Sequence, residues 1–101
     1  MAMPAKIDID REMIADFCRR HRVRKLSLFG SVLRDDFGPD SDVDVLVEFE
    51  PGARVGYLTI GRMIVELERA LGRPVDIRTP AEISRHFREE VLRAAEVQYA
   101  A

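Results

Sequence analysis

A chain of 101 residues with 47% hydrophobic and 34% charged side chains supports one core, of a size that buries roughly two thirds of the unfolded chain's surface. Its 16 basic and 18 acidic residues give a formal charge of -2, which excludes general nucleic-acid binding, and no apolar run approaches the roughly 20 residues that span a membrane. The first residues lack the apolar core of a secretory signal and Cys18 has no second cysteine to pair with, so a single domain over residues 1–101 in a reducing cytoplasm is expected.

In chain order, Asp8 or Asp10 is placed to cap a first helix carrying Ile9, Met13 and Phe17 on its apolar face with Ile14 beside them, ending near His21. Val23 to Phe29 is short, apolar and branched, and it stops at Gly30, the pattern of a strand entering a turn. Asp35, Asp36, Gly38, Pro39 and Asp40 then predict a polar loop. From Asp42 to Phe49 the period is two, with Val43, Val45, Val47 and Phe49 on one face and Asp42, Asp44, Leu46 and Glu48 on the other. Pro51-Gly52 ends that strand. Ile60, Ile64, Leu67 and Leu71 mark the buried stripe of a helix stopped by Gly72, and Val75-Asp76-Ile77 is a third strand. Pro80 opens a final helical region carrying Ile83, Phe87, Val91, Leu92 and Ala95. Met13, Met63, Phe17 and Phe87 sit at helical spacing and are expected in the core, while His21 and His86 have surface roles. A strand-helix-strand unit from Asp42 to Thr79 predicts a parallel pair joined by a right-handed crossover, with the first strand antiparallel to the second. The expected fold class is α/β (α+β), a small mixed β-sheet flanked by helices.

Chemistry is concentrated at three places. Asp42 and Asp44 are two residues apart on a strand, so they project to one face about 6.6 Å apart along it, and their repulsion calls for a cation or strong donors. The parallel pairing sets the strand of Asp76 in the same sheet, so that three acids converge. Gly30 lets the backbone approach a phosphate closely, and Ser31 adds a hydroxyl and an N–H at a helix start, with Arg34 three residues on. Magnesium suits such a set because carboxylate and triphosphate oxygens can share its octahedron, and a two-metal site orients in-line attack at the α-phosphorus. Taken singly, each piece has a plainer reading: Gly30-Ser31 as an ordinary turn, Asp-x-Asp as a solvated loop or helix cap, and Asp76 as the solvent-facing member of an alternating strand.

Leu28-Phe29-Gly30-Ser31, Ser41-Asp42-Val43-Asp44-Val45-Leu46-Val47 and Val75-Asp76-Ile77 resemble the signature of the nucleotidyltransferase superfamily with the DNA polymerase beta-like palm. Within it the chain is most similar, over essentially its whole length, to the small stand-alone members called minimal nucleotidyltransferases. The resemblance implies a polymerase beta palm-like fold, triphosphate binding at Gly30 and Ser31, and catalytic acids Asp42, Asp44 and Asp76 holding one or two magnesium ions, with ATP as substrate. Arg34 matches an arginine often found three residues after the family serine, while Asp35 stands where a glycine usually follows. Such proteins commonly accompany a HEPN-domain toxin as its antitoxin, and characterised members transfer AMP to a toxin tyrosine. The resemblance therefore implies a protein adenylyltransferase whose acceptor site is open or supplied by that partner. Two other readings stay open: an antitoxin that neutralises by contact alone, and nucleotidyl transfer to a small molecule or RNA end. A leftover apolar patch on so short a chain suits either a homo-oligomer or a hetero-complex.

Overall fold

Asp10 starts the first helix: in the computed structural model, which describes residues 9–30, 38 and 41–101, its Oδ1 accepts the backbone N–H of Glu12 at 3.0 Å and of Met13 at 3.2 Å. Those are donors that a helix end otherwise leaves unpaired. The helix, α1, runs Arg11–Arg20 and closes at His21. Strand β1 is Val23–Phe29, as its apolar branched sequence predicts, and β2 is Val43–Phe49. Helix α2 spans Tyr57–Leu71 and is ended by Gly72 at φ 68°, the left-handed C-cap that glycine adopts without a Cβ clash. Strand β3 is Val75–Arg78, followed by a 3₁₀ turn at Pro80–Glu82, helix α3 at Arg88–Ala94 and strand β4 at Glu96–Ala100.

The strands form one sheet in the order β3-β2-β1-β4. β2 and β3 are parallel, as a strand-helix-strand unit requires, and β1 is antiparallel to both β2 and β4. Helix α1 lies against β1 and β4, and α2 against β3. Between helices and sheet sits one core: Ile14, Phe17 and Cys18 from α1, Met63 and Leu67 from α2, and the alternate residues Leu26, Leu28, Val43, Val45, Val47, Val75 and Ile77 from the sheet. Burial pushes the Cys18 thiol up to about 12 against the lowering pull of Arg19, so it stays a neutral packing group. Phe17 is fully buried at the centre of this layer. Phe17→Ala is expected to cost about 3–5 kcal/mol in urea unfolding, a large part of the stability of a domain this size.

The two helices are also tied by charge. Arg20 donates from Nη1 and Nη2 to the two carboxylate oxygens of Glu66 at 2.9 and 2.7 Å, and from Nε to Asp16 at 2.8 Å. The Arg20 hydrogen bonds hold the Glu66 carboxyl below its usual range, with burial opposing and His21 assisting. A carboxyl depressed in the folded state contributes stability that is present above its unfolded value near ~4.3 and lost as pH falls through the folded value. Urea midpoints are therefore expected to fall on acidification below that range, and Glu66→Gln is expected to remove part of that pH dependence.

The chain end departs from the expected long helix. Arg88 donates from Nε to the Pro80 carbonyl at 2.7 Å and from Nη2 to the Ile83 carbonyl at 3.1 Å, which folds residues 80–88 back on themselves before α3 begins. Phe87 consequently lies outside the core and is 60% exposed. Beyond α3, β4 takes the other edge of β1, where Tyr99 pairs with Leu26 and packs on the core. Leu46, on the same side as the acids, is nevertheless buried, in register between Ser27 and Arg78.

Candidate active site

On the sheet surface away from the core, β1, β2 and β3 bring one row of residues side by side: Phe29, Asp44 and Asp76. Neighbouring strands lie about 4.8 Å apart, so Asp44 and Asp76 are adjacent carboxylates on one face. Both are half-buried. Asp42 precedes β2 by one residue, shares the parity of Asp44 and is exposed.

Gly30 closes β1 at φ 72°, a left-handed conformation that other residues adopt with strain. Because Phe29 pairs with Asp44, the next residue passes directly over that carboxylate. A Cβ on Gly30 would run into Asp44 Oδ2 and stand 3.3 Å from its Cγ. The glycine thus serves two demands at once, the turn and the space beside an acid. Ser31 and Arg34, the other expected phosphate ligands, lie outside the described residues.

The approach to β2 is fixed by a residue that the motif reading did not single out. Arg73 Nη1 donates to the Gly38 carbonyl at 2.7 Å, and Ser41 Oγ accepts the Gly38 N–H at 3.0 Å. Val43 N–H donates to the Pro74 carbonyl at 2.8 Å, so the segment entering β3 anchors the segment carrying Asp42. No spacing rule links positions 35 residues apart through a backbone carbonyl, and that is why Arg73 gave no signal in the sequence. Arg78 is a second such residue: its Nε holds Asp76 Oδ2 at 3.0 Å, leaving Oδ1 as the other oxygen of that carboxylate.

Among the described residues no three His, Cys, Asp or Glu side chains stand close enough together to hold a metal ion by themselves. The donor set nonetheless fits magnesium, which is commonly held by one or two carboxylates with the remaining positions filled by water and substrate phosphates. Gly30 fits too, since the place its Cβ would take is occupied by the Asp44 carboxylate, which sets that acid directly against the backbone of the turn.

A four-stranded mixed sheet with two acids in register beside a strand-ending glycine is the arrangement that the resemblance to nucleotidyltransferases implies. The family model for the nucleotidyltransferase domain matches residues 10–97, and the chain belongs to that family. A Methanocaldococcus jannaschii protein that carries the assignment of protein adenylyltransferase is 37% identical over 76 residues, covering 75% of this chain and 80% of the relative. A solved structure described as a minimal nucleotidyltransferase is 40% identical with TM-score 0.70, covering 84% of this chain and 85% of that one. The fold also matches, at TM-score 0.65 and 18% identity over 90% of this chain and 70% of the other, a Shewanella oneidensis complex of a tri-AMPylated HEPN toxin with its MNT antitoxin. Among the described residues no helix is long and apolar enough to cross a membrane.

Proposed function

We propose that this chain transfers AMP from ATP to a hydroxyl of a partner protein, a tyrosine of a HEPN-domain toxin, and thereby acts as the antitoxin of a toxin-antitoxin pair. The observation that carries the reading is the row of Asp44 and Asp76 in register beside Gly30, whose lack of a Cβ lets the Asp44 carboxylate lie against the turn that ends β1. The relative assigned as a protein adenylyltransferase supports the choice of a protein acceptor.

In this reading Gly30 and Ser31 receive the β- and γ-phosphates through backbone N–H groups and the serine hydroxyl, with Arg34 adding a charge-assisted contact. Asp44 and Asp76, with Asp42 one residue before β2, would hold the metal only together with triphosphate oxygens and water, and a bound magnesium ion would neutralise charge on the triphosphate and ease loss of the acceptor's proton. The acceptor oxygen bonds to the α-phosphorus, the bond from that phosphorus to the bridging oxygen breaks, and pyrophosphate leaves. The hydroxyl proton passes to the Asp76 carboxylate, whose Oδ2 is held by Arg78. That fixed orientation aims Asp76 instead of letting it rotate freely.

The test is to incubate the purified chain with ATP, magnesium and a cognate HEPN protein, then map the modified residue by peptide mass spectrometry. One or more adenylylated tyrosines and loss of toxicity are the expected result. Neutralisation that persists in an Asp42→Asn/Asp44→Asn variant with no adenylylation would favour the contact-only antitoxin instead.

A further inference from the structure

Among the described residues nothing covers the outward face of α2. Tyr57 is 93% exposed, Leu58 75% and Val65 44%, and with Gly61 they line a shallow groove of about 570 Å³ bordered by Arg62 and Arg69. Gly61 is the informative member. Glycine is less favourable than alanine inside a helix, yet Gly61 lacks the positive φ that would require it, and a Cβ there would meet nothing within 4 Å. Neither backbone conformation nor packing among the described residues asks for a glycine, whereas the close approach of a second helix does.

We propose that α2 is the contact surface of a symmetric dimer with a second copy of this chain. The face is self-complementary when two copies of α2 run antiparallel across a two-fold axis that passes the outward face between Gly61 and Val65, which is the condition for an isologous interface. Val65 of each copy then fills the space over Gly61 of the other, and Arg69 of each reaches the Tyr57 ring of the other in a cation–π contact. Arg62 of each copy comes beside the second copy's Glu66, whose Oε1 is shared by Arg20 and His21 while Oε2 keeps acceptor capacity beyond its bond to Arg20. Shape, aromatic and charge pairs are thus all satisfied twice by one operation.

The pairing also leaves the acids free to work. α2 covers the core side of the sheet, and the row of Asp44 and Asp76 lies on the other side, so both sites in the dimer face outward. One helix face per copy is at the low end of interface sizes, so the dimer is concentration-dependent, with a dissociation constant in the micromolar range or weaker.

Sedimentation equilibrium from about 1 μM to about 1 mM tests this without ATP, metal or toxin, so its outcome is independent of the proposed reaction. The wild-type mass is expected to rise from monomer to dimer across that range. Val65→Arg and Leu58→Glu, both at exposed positions, are expected to remain monomeric with an unchanged circular dichroism spectrum and Tm, and Tyr57→Ala to weaken association by about tenfold. A wild-type chain that stays monomeric throughout, as when a different protein occupies this face, overturns the proposal. So does a Val65→Arg chain that dimerises as well as wild type.

Discussion

Replacing Asp44 with asparagine is expected to lower AMP transfer by about a thousandfold while changing urea stability little, which separates a role in chemistry from a role in folding. The amide keeps the shape of the carboxylate beside Gly30 and Asp76 but removes the charge that a magnesium-bound triphosphate requires. Among the described acids Asp44 is the one that stands both in register with Asp76 and against the strand-ending glycine, so in the proposed reaction it joins the cation and phosphate parts of the site. Asp42→Asn is expected to act in the same direction. Initial rates at saturating ATP, compared with denaturation midpoints of the same preparations, check the separation.

Gly30→Ala is expected to damage both stability and activity. At φ 72° a non-glycine residue costs about 1–2 kcal/mol, and the new methyl group also collides with Asp44 Oδ2. Relief of that collision must move the carboxylate or the turn, and a displacement near ~1 Å at a reacting centre costs about a hundredfold in rate. The two causes separate in a double-mutant cycle. In an Asp44→Ala background the collision is gone, so Gly30→Ala is expected to cost only its backbone strain, and the two substitutions are expected to be non-additive. Equal stability costs in both backgrounds would show that the carboxylate does not constrain the glycine.

Much of this site was legible in the sequence because its parts are local. Gly30 ends an apolar run, Asp42 and Asp44 open the next, and period-two alternation alone sets both acids on one face. The parallel partnership that brings Asp76 beside Asp44 also followed, since a strand-helix-strand unit leaves few alternatives. The last third was harder. Ile83, Phe87, Val91 and Leu92 share a helical period, but hydrogen bonds from Arg88 to two carbonyls break the segment, and nothing in the local pattern announces such a side chain to backbone tie. Glu96-Val97-Gln98-Tyr99 follows a short alanine-rich stretch that favours helix. What makes it a strand is the open edge of β1, a tertiary demand that overrides local propensity. Leu46 shows the same limit, for its burial beside polar neighbours depends on what the rest of the second face contributes.

The most direct test of the central claim follows the two ends of ATP separately in one reaction containing the chain, magnesium and its HEPN partner. Label on the α-phosphate is expected to appear on the partner protein, and label on the γ-phosphate to leave as pyrophosphate, with both signals lost in Asp44→Asn. Transfer of γ-label to the partner, or α-label transfer that survives Asp44→Asn undiminished, would contradict a nucleotidyl transfer site built on Gly30, Asp42, Asp44 and Asp76.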